Sequence, residues 1–434
     1  MVLQTISSII NNLTLKEKAD LVSGKDFWFT AKVNGVPKMM MTDGPSGLRK
    51  QADASDALGL NKSIKAVNFP SSSLSACSFD KKALHELGIH LGHAALSENI
   101  SVLLGPGVNI KRSPLAGRNF EYFSEDPYLT GELAIAYIKG VQSTGVGVSV
   151  KHFAANNREN QRFTSSSNID ERAFREIYLS AFERIVKNTD PATIMCSYNA
   201  INGTLNSQNQ RLLTKILRDE WGFNGLVMSD WGAVADNVSA LKAGLDLEMP
   251  GKGLASSQEI IDAIKSGRLS EDTLNCSVLR VVKMIKKWGQ HEEHVSYNFD
   301  EQHQFARNLA DKSIVLLKNK NSVLPLDSEN SIAIIGQLAE KPRYQGGGSS
   351  HVNAYNVVTP LQALKLLGIR NSYQPGYDLN SKKTNQIFED HALKLAQSSE
   401  QIVFFAGFPE SYESEGFDKT SIQLPNNQNH LIKN

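Results

Sequence analysis

From about residue 30 to 250, short apolar runs alternate with amphipathic stretches. The runs fall at residues 39–41, 102–104, 146–150, 192–195, 226–228 and 243–247. The clearest stretch puts Phe174, Ile177, Tyr178, Ala181, Phe182 and Ile185 on one helical face, with Arg and Glu opposite. Another runs over 208–220 and stops at Gly222. Strands alternating with helices predict a parallel sheet. A repeating region on the order of 250 residues suits a (β/α)8 TIM-like barrel, whose functional groups stand at the C-terminal ends of the strands. That is where this chain places its charged and hydrogen-bonding residues.

Ahead of this region, Ile6, Ile9, Ile10 and Leu13 keep helical spacing. Beyond it, residues 290–330 read as a connection, with a helix over about 300–312 and short apolar pieces at 314–317 and 323–326. A second α/β unit starts near Ser331. Residues 332–336 and 402–407 have the pattern of buried strands, and 361–366 and 386–397 that of helices. After Leu424-Pro425 only a short helical start remains. Two clear strands make a thin sheet, and small cores are marginal. The expected fold is therefore α/β: a barrel over 1–290, a linker over 291–330 and an incomplete α/β sandwich over 331–434.

Composition narrows the function without deciding it. A chain of 434 residues is expected to hold two domains. The formal charge of +1 gives no field that would draw nucleic acid or an anionic membrane. Cys77, Cys196 and Cys276 are widely spaced, which fits reduced thiols rather than a disulfide framework or a zinc site. The N-terminus lacks a basic start, a continuous apolar core and a small-residue cleavage site, and no apolar stretch is long enough to span a bilayer. A cytoplasmic protein is the expectation.

The strand ends carry the candidate chemistry. Asp230 closes the run Leu226-Val227-Met228-Ser229 and precedes Trp231. Alone it also reads as an N-cap for the next helix; near Lys151, Arg118 and Arg49 it would be held ionised, as a nucleophile must be. Asp43, in a Thr-Asp-Gly-Pro turn, is either an Asx turn or a carboxylate accepting from two vicinal sugar hydroxyls, steadied by Arg49. Arg118, braced by Glu121, is either loop charge or a donor to a hydroxyl. Lys151 and His152 follow an apolar run, and aiming both into a core without partners would be costly. Tyr198 packs, or orients the nucleophile. Glu415 lies in an acidic loop that, taken alone, reads as solvated charge. Two carboxylates, a ring of polar groups and no metal motif together point to glycoside hydrolysis. Two decoys fall away. His85 and His90 are one residue too far apart to share a helix face as metal ligands do, and Gly346-Gly347-Gly348-Ser349-Ser350 lacks the ending of a phosphate loop.

In order, the segments TDGPSGLR (42–49), GRNFEYFSEDPYLTG (117–131), KHFAANNRENQR (151–162), SYNAING (197–203), SDWGA (229–233), GLDLEMPG (244–251), GGGSSHVN (346–353) and ESEGFDK (413–419) resemble glycoside hydrolase family 3 of the β-glucosidase type. The resemblance covers nearly the whole chain. It implies a barrel followed by an α/β sandwich with the active site between them. It also implies Asp230 as nucleophile and Glu415 as general acid/base. Asp43, Arg49, Arg118, Lys151, His152, Arg162 and Tyr198 would form the terminal sugar pocket, and Trp231 the aromatic beside the scissile bond. Family members of this type usually continue further, so the chain is expected to be a truncated product.

The expected reaction is retaining hydrolysis of a β-glucoside or small oligosaccharide, with no cofactor and no metal. Glu415 should start protonated, its pKa raised by burial or a neighbouring carboxylate. The basic cluster should lower that of Asp230. The alternatives are a β-xylosidase on the same scaffold, a truncated sugar-binding fragment with little or no activity, and a metal-dependent barrel hydrolase. An N-acetylhexosaminidase is disfavoured because Ala154-Ala155-Asn156 stands where that branch carries Pro-Gly-His.

Overall fold

A computed structural model describes residues 2–51, 55, 61–289, 295–327 and 329–434. Five parallel strands, Met41–Asp43, Val102–Leu104, Gly147–Phe153, Thr193–Cys196 and Leu226–Ser229, lie side by side in chain order. Every residue in them is buried. That is the mark of a parallel sheet covered on both faces, and it explains why these stretches read as continuous apolar runs.

The ring is completed irregularly. Leu247 bridges Met228 and Glu248 bridges Ser23, both in parallel; Gly24 then bridges Thr30 and Phe29 bridges Met40, both antiparallel. Gly24 N–H donates to Glu248 O at 2.8 Å, and Met41 N–H to Trp28 O at 2.9 Å. A side chain at Gly24 would stand 2.6 Å from Met249 Sδ, so only glycine admits this approach. The run at 243–247 is therefore not a full strand. Ala243 ends helix Asn237–Ala243, Gly244 caps it with φ 106°, and the sheet resumes at Leu247.

Two predicted helices differ in detail. The chain from Phe174 to Tyr178 is a π-helical turn between Glu171–Ala173 and Ser180–Asn188. The wider turn shifts the phase of the apolar face. Phe174, Phe182 and Ile185 are buried, while Ile177 is pushed into solvent. The second, Arg211–Glu220, is also wound wide and ends before Gly222, which has φ 79°. His85 and His90 lie on helix Lys81–Ser97, where the His90 ring packs 3.9 Å from Phe305. No group of three or more His, Cys, Asp or Glu among the described residues is placed to hold a metal ion.

One apolar core runs through the barrel. After helix Phe299–Ser313, Ile314, Val315, Leu316 and Leu317 lie exposed. The second unit is a three-stranded parallel sheet, ordered Asn371–Gln374, Ile332–Ile335, Gln401–Phe404. Its central strand is fully buried and its outer strands only partly. Two small clusters, around Ile335 and Tyr377 and around Ile332 and Ile334, hold it together. Asn371–Gln374 is a polar edge strand, which periodicity does not single out. The loop after Gln345 leaves this unit and returns to the barrel, where Val352 joins the main core and Asn353 pairs with Lys65. No described helix is long and apolar enough to cross a membrane.

Candidate active site

The strand ends converge on one cavity of about 20 Å³. Asp43, Arg118, Lys151, His152, Tyr198, Asp230, Trp231 and Glu415 line it, together with Phe27, Met195 and Ser349. Arg49 and Arg162 stand behind the lining and hold it. Arg49 Nη2 lies 3.2 Å from Asp43 Oδ2, and its Nε donates to Ser349 O at 2.9 Å. Arg162 Nη1 donates to Glu159 Oε2 at 2.8 Å and to Glu415 Oε1 at 2.7 Å.

Each cation in the site is matched. Lys151 Nζ lies 3.8 Å from Asp43 Oδ1 and 3.6 Å from Glu121 Oε1. Arg118 Nε donates to Glu121 Oε2, and Arg118 Nη1 lies 3.4 Å from Glu415 Oε1. His152 is fixed at its backbone by Asn109 and at its ring by the Tyr122 hydroxyl, 3.1 Å from Nδ1. Burial, then the nearby Arg118 and Lys151, push the His152 pKa far down, so the ring is neutral at pH 7. It faces Asp230 Oδ2 at 3.7 Å as a neutral neighbour rather than an ion-pair partner.

Asp230 is not a helix cap. The following helix begins at Asn237 and is capped by Asp236. The Asp230 backbone is tied to Cys196 O at 3.0 Å, and its Oδ1 accepts from Trp231 N–H at 2.8 Å. Its Oδ2 is buried and accepts no hydrogen bond. Trp231 is fixed by Nε1 donating to Phe27 O at 2.9 Å and by the rings of Phe27 and Trp28, 6.2 and 6.0 Å away. Opposite, Tyr198 packs 4.5 Å from Phe163, with the Arg162 guanidinium 4.5 Å over its ring.

Glu415 is buried, not solvated. Its Oε2 accepts from Ser349 N–H at 2.7 Å. Gly348 makes this possible. Its φ is +102°, and a Cβ there would stand 2.4 Å from Glu415 Cβ.

The protonation expectations reverse. Burial works to raise Glu415, but Arg118, Arg162 and Ser349 N–H overcome it and hold the carboxyl well below the usual carboxylate range. Burial pushes Asp230 up, against the pull of Arg118 and Arg162. The two guanidiniums sit closer to Glu415 than the sequence order suggests, because Glu415 enters the cavity from the other unit and lands on them. Burial likewise raises Asp43, against Lys151 and Arg49.

Sequence reasoning missed Phe27, Met195 and Ser349 as lining residues, Tyr122 and Asn109 as supports of His152, and Glu159. The glycine-rich run before Ser349 was a signal: such glycines allow a close backbone approach.

Residues 9–284 match the glycosyl hydrolase family 3 N terminal domain and residues 314–434 the family's C-terminal domain. The chain is 49% identical to thermostable beta-glucosidase B of Acetivibrio thermocellus, a match over 99% of this chain and 58% of that protein. It is 43% identical to an exo-alpha-(1->6)-L-arabinopyranosidase of Bifidobacterium breve, over 98% of this chain and 58% of that protein. Among solved structures, the GH3 beta-glucosidase of Bifidobacterium adolescentis superposes with a TM-score of 0.91 at 42% identity, covering 98% of this chain and 61% of that one. Beta-glucosidase 3B of Thermotoga neapolitana in complex with glucose gives 0.88 at 32% identity, over 99% and 66%. The chain thus spans a little under three-fifths of the curated relatives it matches. Matched by both domains of the family along nearly its whole length, this chain belongs to glycosyl hydrolase family 3.

Proposed function

We propose that the chain hydrolyses terminal non-reducing β-D-glucosyl residues with retention. The observation that carries this is Asp230 Oδ2, buried and without a hydrogen-bond donor, in the same cavity as the Glu415 carboxyl. A lone pair that no protein group occupies can attack the anomeric carbon. In the first step Asp230 forms an ester bond to that carbon as the glycosidic C–O bond breaks, and Glu415 passes its proton to the departing oxygen. In the second, Glu415 takes a proton from water, the water oxygen bonds to the anomeric carbon, and Asp230 leaves as carboxylate. Asp43, Lys151, Arg118 and His152 face the cavity as hydroxyl partners, and Trp231 flanks its mouth.

A cavity of about 20 Å³ holds little more than a water molecule, so a hexose needs space to be made. A sugar hydroxyl that takes over Arg118 removes part of what holds Glu415 ionised. Its pKa then rises, and the carboxyl carries less of its negative charge. Losing that negative charge lowers the Asp230 pKa, since Glu415 is one of the groups that raises it. Substrate binding thus moves the two pKa values toward the order the reaction needs.

The relatives' names favour glucose over xylose. A second reading, α-L-arabinopyranoside hydrolysis, rests on the Bifidobacterium breve relative. Rates on the p-nitrophenyl β-glucoside, α-L-arabinopyranoside and β-xyloside separate the three. The mechanism is tested with an activated 2-deoxy-2-fluoro-β-glucoside, which accumulates the glycosyl ester. Peptide mapping should find the label on Asp230; a label elsewhere, or turnover with inversion, overturns the proposal.

A further inference from the structure

Glu415 belongs to the second unit, whose sheet is small, yet its loop is fastened to the barrel. The fastening residue is Asp418. Its Oδ1 accepts from Gly117 N–H at 3.1 Å and Glu159 N–H at 2.9 Å, and its Oδ2 accepts from Asn160 N–H at 3.0 Å. Its own N–H donates back to Asn160 Oδ1 at 3.1 Å. The neighbouring residues repeat the pattern. Gly416 N–H donates to Glu159 Oε2 at 2.9 Å, and Lys419 N–H to Leu115 O at 2.8 Å. A Cβ at Gly117 would stand 1.9 Å from Phe417 O and 2.5 Å from Ser414 O, so the two backbones lie flush. Toward its own unit, the Glu415 backbone N–H donates to Gly347 O at 3.2 Å.

We propose that Asp418 is a positioning residue for the acid/base step: by collecting backbone N–H groups from two barrel loops, it sets Glu415 over the barrel mouth. The carboxylate suits this task because it accepts several hydrogen bonds at fixed angles, and bonds to a charged acceptor are the stronger kind. The same loop carries Glu159, which holds Arg162, the group that holds Glu415. The loop backbone is thereby locked to the barrel. A catalytic group misplaced by about 1 Å loses on the order of 100-fold in rate.

This rests on the retaining-hydrolase reading, and the test keeps the two apart. Hydrolysis of an alkyl β-glucoside, which needs acid help, is compared with that of 2,4-dinitrophenyl β-glucoside, whose leaving group does not. Asp418→Ala should lose about 100-fold in kcat/KM on the alkyl substrate and less than about 5-fold on the dinitrophenyl one. Azide should restore turnover of the dinitrophenyl substrate and yield β-glucosyl azide, because an anion needs no general base. Asp418→Asn, which keeps one acceptor oxygen, should fall between. Asn160→Ala, on an exposed side chain that loses only the acceptor for Asp418 N–H, should show the same selective loss in milder form, and it carries the test if Asp418→Ala does not fold. Equal losses on both substrates, or no response to azide, overturn the positioning role. A wild-type chain inactive on both substrates overturns the hydrolase reading and this proposal with it.

Discussion

Arg162 holds Glu415 by a contact of 2.7 Å from Nη1 to Oε1, and both side chains are buried. Together with Arg118 and Ser349 N–H, this keeps the Glu415 pKa below its unfolded value. A lowered carboxylate pKa contributes stability that is present above the unfolded pKa and lost as pH falls through the folded one. Glu415→Gln should therefore be less stable than wild type at pH 7, by on the order of 2 kcal/mol. The gap should narrow as pH drops below about 4, where the carboxyl protonates in the unfolded chain. Thermal unfolding of both proteins from pH 7 to pH 3 checks this; a gap that stays constant refutes it.

Asp230 has the opposite sign. Burial raises its pKa, so ionising it costs more in the folded protein than in the unfolded chain. Asp230→Asn should raise the melting temperature at pH 7 by about 2–4 °C, and the gain should disappear at acid pH, where wild type is also neutral there. The same change should cut hydrolysis of an aryl β-glucoside by on the order of 10⁴-fold. Near-normal activity would dismiss Asp230 as nucleophile.

Asp43 is expected to act in sugar binding rather than in bond cleavage. Asp43→Ala should weaken inhibition by free glucose by about 10–100-fold, the value of one or two hydrogen bonds to a charged acceptor. Titration calorimetry with glucose measures it directly. An unchanged affinity would place the sugar away from Asp43.

Gly348 is expected to be intolerant of any side chain. Alanine there meets Glu415 Cβ at 2.4 Å with φ at +102°. Gly348→Ala should destabilise by about 1–3 kcal/mol through backbone strain. With Glu415 as the proposed acid, it should also reduce kcat on alkyl glucosides more than on dinitrophenyl glucosides. Equal effects on both would separate the loop from the acid step.

The barrel's regular strands were legible because each is buried on both faces and so reads as an unbroken apolar run. The closing segment from Ser23 to Met40 was not. It joins the ring through single bridges, and its only local cue is Gly24. Asn371–Gln374 was missed because an edge strand of polar residues gains its place from pairing, not from burial. At the site, strand ends announced Asp43, Lys151, His152 and Asp230. Ser349 was hidden because it acts through its backbone, which no side-chain pattern records. The protonation states were misjudged because they depend on which unit brings Glu415 to Arg118 and Arg162. That is a three-dimensional fact about groups far apart in the chain.

The seam of the ring joins Ser23 and Gly24 to Glu248. During synthesis these first residues leave the ribosome long before their partners exist. This side of the seam must wait for Glu248 to emerge, so the cylinder cannot seal from its N-terminal end.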